Sequence, residues 1–440
     1  MRSPTPSRLA ALVVGLGLLP LAGASFAGDE GPPPKAPFTV HEWGTFTSVQ
    51  GADGITLEGL AHEEEALPEF VYSRTKVREC PLRAQGYKGL EQPAQRVTQK
   101  METPVLYFHA SEPRRVRVRV DFVKGLITQW YPVTDLLGPP EGACDAGPID
   151  VSKVERSFLE WEVDLLPRTG PAPTEIPSVA KDDPWAFARD VDAAWVRTVP
   201  RKGPERAGPT EAEHYLFYRG LGAFTLPMTV TTDEEGRLSF HNGSAHEVPI
   251  VVALEVNAGK KWTGRHRVVS RVAAGETATD LLQGREAGSW RDGGTEGLRS
   301  DMEKILGSQR MNPDEARAMI ATWARSWFSA DGVRVFYVVP RPLVDALLPL
   351  KIDPAPDAIE RALVGRIEVL TNQRRTRLES ALRTLAAAGP KAPTPGELVV
   401  AQRHLEEPGR FLEPFLRGVL AGTTDPVVRA EAEKRLAAVK

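Results

Sequence analysis

Three short strings bring ionisable and aromatic side chains close together in this chain. His41-Glu42-Trp43-Gly44-Thr45-Phe46 sets an imidazole, a carboxylate and an indole side by side. Lys100-Met101-Glu102-Thr103-Pro104-Val105-Leu106-Tyr107-Phe108-His109 and His214-Tyr215-Leu216-Phe217-Tyr218-Arg219 repeat the mixture. Their alternation predicts β-strands, and period two sorts the side chains by face. His41, Trp43 and Thr45 share one side, while Glu42, Gly44 and Phe46 share the other. His41 and Glu42 therefore cannot grip one ligand from the same face. Glu42 points with Phe46 toward an apolar layer, where a carboxylate needs a partner or takes a raised pKa. That makes Glu42 a candidate general acid or base. The competing expectation is a structural ion pair with Arg219 or another arginine. Glu102, at a strand mouth where sites are often carried, is the second candidate catalytic carboxylate.

A pocket built from these strings admits two chemistries. His41, His109 and His214, with carboxylates, are candidate ligands for Zn²⁺ or a similar divalent ion. Trp43, Tyr107, Tyr218 and Arg219 are candidate contacts for a sugar or an anionic ligand. The plainer alternative is that each is a satisfied residue at a strand end. No His-Glu-x-x-His, Gly-x-Ser-x-Gly, P-loop or Cys-x-x-Cys string occurs, so a site must be assembled from distant segments. His62-Glu63-Glu64-Glu65 has ligand types for Ca²⁺ or Zn²⁺, although such runs are commonly solvated surface.

The elements that must position these residues change along the chain. Up to about residue 290 the pattern is β: Phe38–Val49, Val105–His109, Leu126–Tyr131, Phe158–Leu165 and Tyr215–Tyr218, then several strands through Val272. Arg237–Val256 reads as a β-sandwich hairpin. Arg115-Val116-Arg117-Val118-Arg119-Val120-Asp121-Phe122 turns its valines inward and its arginines outward, a charged face that also guards an edge strand. A short helix is expected within Asp183–Val199. Asn312 as N-cap, Pro313 at the first position and Glu315 at the third open a helix carrying Met319, Trp323 and Trp327 on one face. Strands follow at Val333–Val339 and Ala362–Leu370, separated by a short helix at Leu343–Leu348. About four helices, cut by Pro393, Pro395, Pro408 and Gly422–Asp425, complete the chain. The expected class is thus mainly β and sandwich-like (38–290), then a mixed α/β segment (291–372), then a small helical region (373–440).

The 440 residues carry a net charge of −3, so no global field favours nucleic acid or an anionic membrane. Arg2 and Arg8 before the apolar Leu9–Leu19, with Ser25-Phe26-Ala27 after it, read as a signal peptide cleaved after Ala27. Residues 28–37, rich in proline, read as an extended tether. No later segment is apolar enough to span a bilayer. Cys80 and Cys144 are the two cysteines, and an oxidising compartment would allow them to form a disulfide. Two separate thiols are the alternative.

Several strings together resemble a family of uncharacterised exported bacterial proteins of planctomycete and myxobacterial type. They are His41–Val49, Lys100–Tyr107, Gly125–Pro132, Leu216–Gly220, Glu315–Phe328, and Val333–Pro340 followed by Val344–Leu350. The resemblance spans roughly residues 38–372. It implies export to the periplasm or beyond and a common fold, and assigns no catalytic residue. Three functional expectations follow. One is a ligand-binding or structural envelope protein. Another is a metal-assisted or acid/base hydrolase of an extracellular polymer. The third is an assembly factor docking an envelope polymer or protein through the Arg115–Arg119 face and the terminal helices.

Overall fold

The structure, a computed structural model, describes residues 37–62, 66–74, 94–139, 149–200, 210–257, 263–283, 288–291, 295–387 and 392–438. The expected signal peptide, most of the tether, Glu63 to Glu65, and both Cys80 and Cys144 lie outside the described residues. The protein is mainly β with a helical C-terminal region, as its sequence pattern implies.

The opening strand, Phe38–Gly51, sits inside a ten-stranded sheet. It runs parallel to Ala358–Leu370 on one side and antiparallel to Gln99–Ala110 on the other. Beyond Ala358–Leu370 come Gly332–Val338, Val248–Asn257, Thr263–Val272 and Gly288–Arg291. Beyond Gln99–Ala110 come Leu216–Gly222, Gly125–Tyr131 and Tyr72–Ser73. The strands of 291–372 are therefore woven into the middle of the main sheet, and no boundary falls at residue 290.

Each face of this sheet buries a different layer. Phe38, Val40 and Phe46 pack with Val116, Val118, Val120, Leu159, Trp161 and Val163 of a second, six-stranded sheet, which makes the sandwich. Trp43, Tyr107, Phe217 and Phe336 pack instead against helices Glu296–Ser308 and Pro313–Phe328 through Met302, Met319 and Trp327. At the end of the sheet, Val49 and Leu370 meet Leu378, Phe415, Leu416 and Val428 of the four terminal helices. Burying each such side chain contributes about 1.5–3 kcal/mol, so all three layers are held by the same force.

The arginine-rich strand, Arg114–Val123, is not the edge strand its charges suggest. It lies between Arg156–Leu166 and Leu350–Asp353. The register places Arg115 opposite Asp164, Arg117 opposite Glu162, and Arg119 opposite Glu160. The outward charges are thus matched across the strands.

Candidate functional site

The opening strand sends its neighbours to opposite destinations. Glu42 enters the sandwich side and is 1% exposed. Its carboxylate accepts from Arg361 Nε at 2.5 Å and from the Tyr218 hydroxyl. Arg361 also donates to Asp345 and to the Leu348 carbonyl, each at 2.8 Å. The partner is Arg361, not Arg219, because period two puts Tyr218 and Arg219 on opposite faces. Glu42 and Tyr218 are thereby parts of one buried strut rather than a catalytic acid and a ligand contact.

On the helix side, His41 and His109 converge on Glu315, the third residue of the helix Pro313–Phe328. His41 Nδ1 lies 2.9 Å from one carboxylate oxygen and His109 Nε2 lies 2.9 Å from the other. Burial would raise the Glu315 carboxyl, but hydrogen bonds from His109, His41 and the Asn312 N–H hold it below the usual range. Because the carboxylate only accepts, both imidazoles face it with N–H groups. His214, the third expected ligand, is elsewhere. It accepts from Arg168 at 2.9 Å and meets the Trp195 ring edge-on. Burial, Arg168 and Arg189 push its pKa down to about 3, so it is neutral.

Further along the same face lies a cavity of about 440 Å³ between sheet and helices. Trp185, Tyr215, Phe217 and Trp323 are among its aromatic walls, and Glu102, Arg219, Arg325 and Ser326 supply polar groups. Two sequence details aim Glu102 there. The pairing of the opening strand with Gln99–Ala110 slips between Trp43↔Val105 and Thr45↔Glu102, so the partner strand carries one extra residue. Such a bulge reverses which face the following side chains occupy. Gly44 permits it, since a Cβ there would stand 2.9 Å from Pro104 Cα. Without the bulge, Glu102 would leave the Tyr107 side.

Glu102 is then fixed by two residues. Thr47 donates to it at 2.7 Å, and Arg410, from the turn between two terminal helices, makes a two-pronged pair with it. Burial pushes the Glu102 carboxyl up, but Arg410, Lys100 and Arg219 override this and hold it at about 2. Near neutral pH it is an anion, unsuited to donating a proton. Arg219 stays in the wall, its guanidinium carbon 6.0 Å from the centre of the Phe217 ring.

The cavity walls are braced by hydrogen bonds to the elements around them. The Tyr107 hydroxyl donates to the Ala188 carbonyl at 2.6 Å, and the Tyr215 hydroxyl donates to the Trp185 carbonyl at 3.2 Å. These bonds pin the short helix Pro184–Ala188 to the sheet. Glu213 accepts from Trp185 Nε1 at 2.9 Å and from Arg189 twice. Arg366 donates to Ser326 at 2.5 Å and shares Glu368 with Arg334, which anchors the end of the long helix. Tyr107 and Trp43 are thus core braces, fully buried and stacked with ring centres 6.0 Å apart.

Of the expected site residues, Glu102 and Arg219 share the cavity, while His41 and His109 share Glu315. Glu315 and Arg410 were not singled out by sequence reasoning as site residues. Glu315 reads as a helix-capping residue, which it also is, since it accepts from the Asn312 N–H at 2.9 Å. Arg410 stands in a helical region with no pattern to single it out.

No family model matches the chain, and no curated protein matches it. Among solved structures, the Fcho1 Mu homology domain of Danio rerio with bound Eps15 peptide aligns with 76% of this chain and 97% of its own, at 8% identity and a TM-score of 0.28. The yeast delta-COP-I mu-homology domain aligns with 77% of this chain and 98% of its own, at 8% identity and a TM-score of 0.23. Likeness at that level does not show a common fold.

Proposed function

We propose that this is an exported binding protein whose cavity takes a small ring-bearing ligand with an anionic group. The observation that carries the reading is the composition of the cavity. Its volume falls within the range of small-molecule sites, and such sites pair apolar walls with a few placed polar groups. Trp185, Phe217 and Trp323 offer flat surfaces for a ring. The innermost acids of the lining already have partners: Glu102 has Arg410 and Thr47, and Asp183 caps the Trp185 N–H. Arg219 and Arg325 each carry five N–H donors, so an existing partner does not exhaust them. A carboxylate or sulfate on the ring matches these guanidinium groups. Export is supported by the basic-then-apolar segment ending at Ala27. No helix among the described residues is long and apolar enough to cross a membrane.

The test is calorimetric titration of the protein with benzoate, 4-hydroxyphenylacetate and galacturonate, alongside benzyl alcohol and glucose as uncharged counterparts. Saturable binding of a charged ring is expected, weakened about ten- to hundredfold by Arg219→Met, the value of a charge-assisted hydrogen bond. Equal binding of charged and uncharged rings, or indifference to Arg219→Met in a folded protein, would defeat the reading.

A further inference from the structure

We propose that His41, His109 and Glu315 bind one zinc-type divalent ion, leaving a coordination position open to solvent. The three side chains come from two adjacent strands and one helix. Their ligand atoms all lie within 4.8 Å of one another. Tetrahedral zinc, with bonds near 2.0–2.1 Å, needs donor separations of about 3.3 Å. Each imidazole nitrogen lies 2.9 Å from a different carboxylate oxygen, and modest side-chain shifts would bring both nitrogens and one oxygen to that spacing. Two imidazole nitrogens and one carboxylate oxygen suit zinc and its neighbours, whereas calcium and magnesium prefer oxygen alone. Three protein ligands with a vacant fourth place is the pattern of a catalytic rather than a structural zinc.

Three observations set this cluster apart from an ordinary helix cap. A capping box needs one glutamate oxygen and no histidine, yet here two histidines meet one carboxylate. Their rings stand 4.5 Å apart, centre to centre. The cluster is also accessible: Glu315 is 0% exposed at its side chain, but His41 is 12% and His109 is 19%. His109 borders an open groove of about 310 Å³ that includes Thr39, Ser111, Arg168 and Thr169. That groove shares no lining residue with the aromatic cavity. Along the opening strand, Thr45 beside Glu102 is about 13 Å from His41. The ion site is therefore separate from the proposed ligand site. Arg168 lines the same groove as His109 and would suit an anionic ligand there.

The test uses the whole protein stripped with EDTA, then titrated with ZnCl₂ by calorimetry and with Co²⁺ by visible absorption. One equivalent of Zn²⁺ is expected, with a Co²⁺ spectrum of low-symmetry coordination. His41→Ala and His109→Ala should each weaken Zn²⁺ by about 100-fold or more, beyond the 10- to 100-fold lost with an orienting partner alone. Glu315→Gln can keep the capping box, so it should melt near the parent temperature yet bind Zn²⁺ far more weakly. Absence of saturable Zn²⁺ uptake by the parent, or uptake unchanged in both histidine variants, would overturn the site.

Discussion

The two faces of the central sheet differ in how much of their charge is closed off. On the sandwich side, Glu42, Tyr218, Arg361 and Asp345 close on one another, and Arg361 ties the helix Arg341–Leu347 to the sheet. On the helix side, ionisable groups border a cavity and a groove, and their partners leave ligand-facing atoms reachable. The difference arises from what covers each face. A second sheet covers its neighbour continuously, because pleated surfaces interdigitate along their length. Helices joined by loops meet a sheet along stripes, and gaps remain between the stripes. Charge on the sandwich side must therefore be neutralised in place, while the helix side combines closed pairs, such as Arg334 and Arg366 with Glu368, with groups beside a gap that can serve a ligand.

The sharpest way to break this comparison is to remove one partner of the closed network. Arg361→Ala leaves Glu42 buried without its counter-ion, which should cost about 3–5 kcal/mol in urea unfolding. The double variant Glu42→Gln, Arg361→Met removes the charge while keeping an acceptor for Tyr218, and should recover most of that loss. If Arg361→Ala costs under about 1 kcal/mol, solvent reaches Glu42 and the two faces do not differ.

Acid titration probes His214, beside Trp195 of the six-stranded sheet, and Glu102 on the helix side. The folded His214 pKa is about 3, below its ordinary 6.5. The unfolded chain therefore takes up that proton first, and stability present above pH 6.5 falls as pH drops toward 3. Glu102 adds a second loss: its carboxyl is held at about 2 against an ordinary 4.5. Its contribution, on the order of 3 kcal/mol, is complete above pH 4.5 and disappears as pH falls through 2. In His214→Gln, the loss between pH 6.5 and 4.5 should shrink, while the lower-pH loss should remain. An unchanged profile in that variant would mean that His214 protonates without opening the structure.

Much of this architecture was readable from periodicity, and the site was readable only in pieces. The strand Phe38–Gly51 and the capped helix Pro313–Phe328 announce themselves, because burial on one face imposes a repeat of two or of 3.6. The pairing of Phe38–Gly51 with Ala358–Leu370 links residues about three hundred positions apart, and no local pattern encodes it. Glu102 shows the limit within a single strand. Extending period two from Tyr107 puts it on the wrong face, and only the bulge at Pro104, opposite Gly44, returns it to the cavity. His41 and His109 were visible as ligand types, but Glu315 already had a complete local explanation as a cap. His214 looked like their equal because sequence does not show that Arg168 and Trp195 enclose it.

The smallest expected effect completes the contrast, since it concerns the same ion-pair chemistry in water. Arg115 meets Asp164 at 2.9 Å across two strands, with the arginine side chain 53% exposed. Arg361 meets Glu42 at a similarly short distance, but both side chains are almost wholly buried. Distance alone would rank the pairs as equals. Solvent reverses that ranking: water screens the exposed pair and also rehydrates either charge when its partner is removed. Arg115→Ala should therefore change stability by less than about 1 kcal/mol, and 1 M NaCl should erase most of the difference. Salt should leave the Arg361→Ala deficit nearly intact, because ions do not enter the sandwich. A large, salt-resistant loss in Arg115→Ala would mean that something covers the arginine face in solution, and would return that face to contention as a docking surface.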